Sequence, residues 1–496
     1  MSWSADAQLT LPPPQVITIP NPHILSGGPA DRFGTSTLVV DLNLDGVAEI
    51  VAGASDERPD VNTPADRAGY VFILKKTGPT AYESFEIVAP SPDHVEDNLF
   101  GYSLAAGDFD HDGDIDLAIG APGLDVLGKE SSGKVFVFGG PWPLTDQNHI
   151  YSGEVVAVTF HQPGFGALDG ALFGYRVAGA DVDSDLGYPP SDVTEELIAT
   201  APFYHETPAS MVEEGAAFVF GFGIKSITDA PESPLLPPSE STNQLGRAIG
   251  TGHVTRDQSM PISWVRDIVL GARGWTVPGL NDAGRYEVFR DHNFLRDSAR
   301  LVEQPGGSVK LQKFGDDIAI ANFDAIDGDP WDDVAVGASG YENLGIEPEI
   351  PNSVVVVMRG GDPFQPEQPL NFWKIVFNAS GTLDVFNLFG RALVWGHFNA
   401  DPYMDVAVGD AARGEPPMML KDQGVLEIYW GKSPLGTPPP FSMKTVFQDP
   451  NPEFNGNFAW DLASGQLGNP VSRADLVVGA PGSQTNRGKL VLYLFE

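Results

Sequence analysis

The chain has 496 residues, and its 42% hydrophobic content is enough for a large core, which argues against a disordered polypeptide. Its 67 acidic and 29 basic residues give a net charge of −38, which repels phosphate backbones and anionic lipid and so argues against nucleic-acid or membrane-surface binding. The chain has no cysteine, which excludes disulfides, thiolate catalysis and zinc–thiolate sites.

The predicted elements begin with a lone strand at residues 15–19 and continue with a unit that occurs seven times. Each copy opens with a strand after a Phe-Gly pair, such as residues 103–107, and passes through an Asp-rich turn into a second strand that ends in Gly-Ala-Pro or a variant. A third strand follows, as at residues 133–138, and then a weaker fourth, as at residues 82–88 and 155–160. The copies start at Phe33, Phe100, Phe173, Leu245, Phe314, Phe389 and Phe458.

Four short antiparallel strands in each unit are typical of one blade of a β-propeller, and helical periodicity is nearly absent. The sequence therefore predicts an all-β fold, a single seven-bladed β-propeller of four-stranded antiparallel blades over residues 1–496. The seventh copy reaches Glu496 directly after its third strand. We therefore expect residues 15–19 to complete blade seven as its outer strand, which would close the ring. No apolar run is long enough for membrane insertion.

The turn between the first two strands has the pattern of a calcium loop in the first two copies. Oxygens at alternate positions surround a hard cation, glycine permits the sharp turn, a main-chain carbonyl supplies position seven, and a last carboxylate closes the shell. The predicted ligands of copy two are Asp108, Asp110, Asp112, the carbonyl of Asp114, and Asp116. Those of copy one are Asp41, Asn43, Asp45, the carbonyl of Val47, and Glu49.

Two further copies carry longer versions of this loop. The predicted ligands of copy three are Asp181, Asp183, Asp185 and, across an insertion, Glu196. Those of copy five are Asn322, Asp324, Asp327 and Asp333. Copy six has His397 at position one and Pro402 in place of the glycine, which argues against calcium there, and copies four and seven keep only the closing carboxylates Asp267 and Asp475. Asp, Asn and Gly are also ordinary hairpin-turn residues, so each loop has a metal-free alternative.

In these residues the chain resembles the FG-GAP family, the repeats of the integrin α-subunit propeller, because Phe-Gly, the Asp-rich turn and Gly-Ala-Pro recur in order. The resemblance covers residues 15–496 and implies Ca²⁺ in the hairpin between the first two strands of several blades: two sites, and up to four or five. In integrins calcium lies mostly in the later blades, whereas here the best loops lie in the first two. Integrins also use aromatics at the channel mouth to cage a partner's cation, and Tyr102, Tyr175, Trp395 and Trp460 could form such a cage or pack between strands.

The resemblance implies a calcium-binding, integrin-α-like propeller that acts as an extracellular or cell-surface adhesion or ligand-binding module, with a protein or glycan ligand on one face. No catalytic spacing such as H-E-x-x-H, G-x-S-x-G or a phosphate loop occurs, so we expect no enzyme. Two alternatives stay open. One is a carbohydrate-binding, lectin-type propeller, and the other is a lyase or hydrolase whose site is built from loops.

Overall fold

The computed structural model describes part of the chain in detail. The described residues are 13–23, 31–56, 68–110, 112–145, 155–158, 169–182, 195–205, 214–220, 222–223, 226–227, 234–235, 244–255, 266–275, 283–290, 295–303, 313–323, 331–339, 353–361, 372–376, 388–413, 423–432, 441–467, 473–483 and 487–495. Their named elements are 30 β-strands, and none of their helices is long and apolar enough to cross a membrane.

The strands of the first three repeats are β1 (Gln15–Pro20), β2 (Phe33–Val40), β3 (Glu49–Ala54), β4 (Tyr70–Lys76), β5 (Tyr82–Val88), β6 (Ser103–Gly107), β7 (Asp116–Ala121), β8 (Lys134–Phe138), β9 (Val155–Val158), β10 (Val177–Ala180), β11 (Glu196–Ala201), β12 (Ala216–Phe220), β13 (Phe222–Gly223), β14 (Ser226–Ile227) and β15 (Pro234–Leu235).

The strands of the last four repeats are β16 (Leu245–Gly252), β17 (Asp267–Ala272), β18 (Arg285–Arg290), β19 (Leu295–Glu303), β20 (Phe314–Ala321), β21 (Asp333–Ala338), β22 (Val354–Met358), β23 (Phe372–Val376), β24 (Ala392–Gly396), β25 (Asp405–Asp410), β26 (Val425–Gly431), β27 (Phe441–Gln448), β28 (Leu462–Gly465), β29 (Asp475–Ala480) and β30 (Lys489–Leu494).

These strands form seven four-stranded sheets in which the paired strands run antiparallel. Five sheets use four consecutive strands, and the third uses β10, β11, β12 and β15, beside a small hairpin of β13 and β14. The all-β prediction is therefore confirmed, and the predicted strands at residues 82–88 and 103–107 have the observed bounds of β5 and β6.

The last sheet joins the two ends of the chain. Its order is β1-β30-β29-β28, and β1 pairs with β30 from Gln15 opposite Leu494 to Pro20 opposite Lys489. Ile17 at the centre of β1 is buried, and the Asn21 side chain donates a hydrogen bond to the Arg487 carbonyl (3.2 Å). This is the pairing that the sequence predicts for residues 15–19.

The first strands of the seven sheets contact one another in sequence. β2 contacts β6, β6 contacts β10, and the series continues through β16, β20, β24 and β28 back to β2. We call these seven strands the inner strands. The arrangement is consistent with a propeller, in which inner strands surround a central channel.

Glycine allows the backbones of neighbouring sheets to come into direct contact. A Cβ on Gly53 in the second strand of repeat one would lie 2.9 Å from the carbonyl carbon of Gly101, which follows Phe100 in repeat two. The equivalent contact between repeats seven and one joins Gly479 to Gly34. Gly101 itself has φ of +85°, a conformation that glycine adopts without strain. The recurring glycines are thus explained by inter-sheet packing.

The core lies between adjacent sheets. The residue that opens each repeat is fully buried in all seven copies, from Phe33 to Phe458. Phe100, for example, packs with Val51 and Val71 of repeat one and with Phe136 of its own repeat. Phe33 packs with Leu490 and Leu492, which belong to the last repeat. The residue that opens each repeat therefore belongs to the core between its own sheet and the preceding one.

Candidate metal centre and channel mouth

The hairpin loop of repeat two, residues 108–115 between β6 and β7, brings together three of its predicted ligands. Carboxylate oxygens of Asp108, Asp110 and Asp116 lie within 4.8 Å of one another, and among the described residues this is the one such group of three or more. Backbone amides hold the loop: Asp112 and Gly113 donate to Asp108 (3.1 Å each), and Asp114 donates to Asp112 (2.9 Å). The donor set is all oxygen, which suits a hard cation such as Ca²⁺.

The hairpin loop of repeat one, residues 41–48, repeats this hydrogen-bond pattern. The amides of Asp45 and Gly46 donate to Asp41 (3.0 and 2.8 Å), and the amide of Val47 donates to Asp45 (2.9 Å). Asn43 also accepts from the Asp45 amide (3.0 Å) and donates to Glu49 (3.3 Å). The two loops therefore share one backbone conformation, as their common sequence pattern predicts.

Both loops contain carboxyl groups that ionise with difficulty in the metal-free protein. Burial, with the neighbouring charges of Asp110 and Asp112, raises the pKa of Asp116 to about 6. Burial, with Asp45 and Asp41, raises the pKa of Glu49 to about 7. A bound cation would lower the pKa of both carboxyl groups, because a nearby opposite charge favours the ionised form.

A structural role also falls to the last carboxylate of each loop, which we call the closing carboxylate. It is buried in all seven repeats and accepts a hydrogen bond from a backbone amide of its own hairpin loop, at 2.6 to 3.1 Å. In four repeats its other oxygen accepts from a backbone amide at the end of the third strand or just after it, as Asp116 does from Gly140 (3.0 Å). The seven residues are Glu49, Asp116, Glu196, Asp267, Asp333, Asp405 and Asp475.

The other predicted ligands are only partly covered by the structure. In repeat three, Asp181 and Glu196 are described, while Asp183 and Asp185 lie outside the described residues. In repeat five, Asn322 and Asp333 are described, while Asp324 and Asp327 lie outside. These two sites stay predictions.

The loop of repeat six has fewer carboxylates than that of repeat two, yet similar hydrogen bonds hold its hairpin. Asp401 accepts from the Tyr403 amide (3.0 Å), which is the contact that Asp112 makes with Asp114 in repeat two. His397 occupies position one, and its Nδ1 lies 3.0 Å from the Tyr403 carbonyl oxygen.

The end of the inner strands opposite these loops forms what we call the channel mouth, built from the third to fifth residues of the repeats. A cavity of about 170 Å³ there is lined by side chains from every repeat. Its lining includes Thr37, Tyr102, Arg176, Ile249, Asp317, Leu393 and Asp461. The acidic loops come after the inner strands and the mouth residues come before or at their start, so the two features lie at opposite ends of these strands.

The aromatic rings at the channel mouth already contact cations of this chain. The Arg247 guanidinium lies 4.5 Å from the centre of the Tyr175 ring, and the Arg391 guanidinium lies 3.7 Å from that of Trp460. The Tyr102 and Tyr175 rings are 5.0 Å apart. Of the two alternatives for these aromatics, packing within the chain fits Tyr175 and Trp460, whose rings contact arginines of this chain. Trp395 lies further along its strand and is 40% exposed.

The charges of the channel mouth are tightly interlocked. Burial would raise the pKa of Asp316, but Arg273, which donates to it at 2.7 Å, together with Arg391 and Arg247 holds that pKa well below its usual range. Burial raises the pKa of Asp317 to about 7 despite the nearby Arg176. Sequence reasoning missed this cluster. Repeats three to seven each carry a charged residue at the third or fourth position, but Arg273 follows a second strand, so no single register marks the cluster.

A profile of the FG-GAP repeat matches residues 33–74 and 100–138. Integrin α-7 of Rattus norvegicus is 30% identical over 188 residues, which are 37% of this chain and 14% of the integrin. Human phosphatidylinositol-glycan-specific phospholipase D is 30% identical over 178 residues, 36% of this chain and 20% of that protein. Integrin α-5 of Xenopus laevis is 27% identical over 332 residues, 64% of this chain and 25% of the integrin. The matched regions thus span well under two thirds of these relatives.

Among solved structures, the exotype rhamnogalacturonan lyase YesX aligns with a TM-score of 0.45 and 12% sequence identity. The alignment covers 97% of this chain and 76% of the lyase. A similarity at this level carries no argument about activity.

Proposed function

Since this chain contains FG-GAP repeats and has relatives among the integrin α subunits, we propose that it forms a calcium-binding, seven-bladed propeller that acts as an extracellular or cell-surface adhesion or ligand-binding module. Residues 1–496 then form one domain. The seven sheets, the cyclic contacts of the inner strands and the pairing of β1 with β30 support the blade count and the closure.

The calcium proposal depends chiefly on the convergence of Asp108, Asp110 and Asp116 in the loop of repeat two. The same backbone hydrogen bonds in the loop of repeat one support a second site there. Exposed oxygen-rich loops of this kind suit the millimolar calcium found outside cells, which supports the extracellular assignment. Magnesium prefers strict octahedral geometry and retains its waters, so it should bind these loops less well.

A matched pair of variants tests the calcium sites. Asp112→Ala and Asp401→Ala each remove a carboxylate that accepts a backbone amide two residues later, at 2.9 and 3.0 Å. Only the Asp112 variant should lose one equivalent of bound calcium, measured by elemental analysis after gel filtration. Excess EDTA should lower the melting temperature of the wild-type protein, since a ligand in hundredfold excess over its Kd stabilises by about 2.7 kcal/mol per site.

Equal calcium loss in the two variants would contradict the assignment, as would a wild-type protein that carries no metal and melts identically in EDTA. Asp267→Ala is a further control. This closing carboxylate accepts the Thr255 amide (2.6 Å), so its removal should lower stability without changing the calcium content.

A lectin-type role is the second candidate. A cavity of about 520 Å³ is lined by Trp395 together with His253, Arg266 and Asp332, a mixture of aromatic and polar groups that suits a saccharide. A glycan array separates this role from protein recognition, and Trp395→Ala should abolish any glycan signal that depends on this cavity.

A further inference from the structure

Neighbouring repeats share a backbone contact at the end of the inner strands where the acidic loops lie. The residue before the closing carboxylate, which we call the bridging residue, donates its amide to the carbonyl of loop position one in the preceding repeat. Three such pairs are described: Arg266 with Asp181 (2.9 Å), Asp332 with His253 (2.9 Å) and Ala474 with His397 (2.8 Å). Because position one is a ligand in the predicted calcium pattern, a bridging residue lies beside the loop of the preceding repeat.

Glu195 is the bridging residue that faces the calcium loop of repeat two. A Cβ on Gly107, which precedes Asp108, would clash with the Glu195 Oε2. The Asp108 amide hydrogen-bonds to the Glu195 carboxylate, and the charges of Asp108 and Arg266 both act on that carboxylate. Glu195 of repeat three therefore lies against the residue that supplies the first predicted ligand in repeat two.

Asp332 makes the corresponding contact at a loop without the acidic set. Its Oδ2 accepts the His253 amide (2.8 Å), and a Cβ on Gly252 would lie 2.8 Å from that oxygen. The loop of repeat four, which begins at His253, keeps only its closing carboxylate from the predicted ligand pattern. Glu195 and Asp332 are thus a matched pair, one beside a predicted calcium loop and the other beside a loop that is not expected to bind calcium.

We propose that Glu195 strengthens calcium binding in the loop of repeat two from across the interface between the sheets, as a positioning residue and not as a ligand. Its negative charge lies beside Asp108 and attracts a cation bound there. Its hydrogen bond to the Asp108 amide holds the backbone of that ligand, as outer-shell partners do at other metal sites. Arg266 partly neutralises the same carboxylate, so removal of Glu195 and removal of Arg266 should have opposite effects.

This inference rests on the proposed calcium site of repeat two, and the experiment separates the two proposals. Calcium affinity is measured by isothermal titration calorimetry on metal-free protein, in the wild type and in an Asp112→Ala background that lacks the site of repeat two. A wild type that binds no calcium would overturn both proposals. A calcium site that Asp112→Ala removes and that Glu195→Gln leaves unchanged would overturn this inference alone.

Glu195→Gln should weaken calcium binding about fivefold, because it removes the charge and keeps an oxygen that can accept the Asp108 amide. This change should disappear in the Asp112→Ala background. Asp332→Asn is the matched control and should leave calcium affinity unchanged in both backgrounds.

Arg266→Gln is a second variant should Glu195→Gln fail to fold, and it should strengthen calcium binding about twofold. Arg266 also lies beside Asp181 of repeat three. Only the part of its effect that Asp112→Ala abolishes is therefore assigned to repeat two.

Salt distinguishes an effect of charge from an effect of packing. The affinity difference between the wild type and Glu195→Gln should shrink as the ionic strength rises from about 0.01 M to about 1 M, because the screening length falls from about 30 Å to about 3 Å. A lost packing contact would not respond in this way. Equal calcium affinity of the wild type and folded Glu195→Gln, an equal change in Asp332→Asn, or a difference that salt leaves constant would each overturn the proposal.

Discussion

The glycine contacts between neighbouring sheets give a sharp test of the packing. A Cβ on Gly337 in β21 would lie 2.8 Å from the carbonyl carbon of Gly390 and closer still to its oxygen. Real Cβ contacts essentially never fall below 3.0 Å, and the opposing atoms here are backbone, so a side-chain rotation cannot relieve the clash. Gly337→Ala must therefore displace repeat six relative to repeat five.

Overpacking of a dense core typically costs about 1–3 kcal/mol, and a clash with backbone belongs at the upper end, so we expect a loss of about 3 kcal/mol. The control is Gly78→Ala, whose Cβ would make an ordinary 3.4 Å contact with Ala81. It should change stability by no more than about 0.5 kcal/mol. Urea unfolding followed by circular dichroism measures both values.

Equal stability of the Gly337 and Gly78 variants would refute the reasoning. Repeat three accommodates a side chain at this position, because it carries Thr200 where the other repeats have glycine. There the Thr200 hydroxyl bonds to the Arg176 amide (3.0 Å), so the side chain is part of the inter-strand packing. A similar rearrangement between repeats five and six would make Gly337→Ala harmless.

Two further predictions concern closure and pH. Deleting residues 1–20 removes β1 and exposes the edge of β30, so this variant should melt at a lower temperature and aggregate. Deleting residues 1–10 should change little. Equal melting temperatures of the two variants would contradict the closure of the ring by β1. Burial raises the pKa of Asp410 to about 7 in the folded protein, above its unfolded-state pKa of about 4. The buried carboxylate therefore destabilises the fold above pH 7, and this destabilisation disappears as the pH falls towards 4. At constant calcium, the melting temperature should therefore rise between about pH 8 and pH 6, and Asp410→Asn should show a smaller rise; identical slopes would contradict this assignment.

The sequence was sufficient to predict the all-β class, the strand order within a repeat and the pairing of residues 15–19. These features follow from local patterns, namely alternating apolar residues, turn residues and a repeat that specifies every sheet in the same way. The hydrogen-bonded geometry of the loops at Asp41 and Asp108 was predictable for the same reason, since one contiguous segment contains every group involved.

The channel mouth could not be predicted, because its residues are far apart in the chain. Arg176, Arg273 and Asp316 are brought together only when the inner strands contact one another, and no local pattern states which of them will pair. The double role of the closing carboxylate was hidden for a related reason. Asp116 fits a ligand pattern, and its bond to Gly140 depends on the segment that follows the third strand.

The hydrogen bonds of the closing carboxylates hold each hairpin in shape whether or not the rest of its loop is acidic. Repeats four, six and seven keep Asp267, Asp405 and Asp475 in the same backbone contacts, although their loops lack the acidic set of repeat two. Under the proposed calcium binding, substitutions at the tip of the loop would add or remove a cation while the anchoring hydrogen bonds of the hairpin stay in place. For a protein engineer, the tip of repeat two would then be a unit to transplant into repeats four, six or seven, whose closing carboxylates already hold the hairpin.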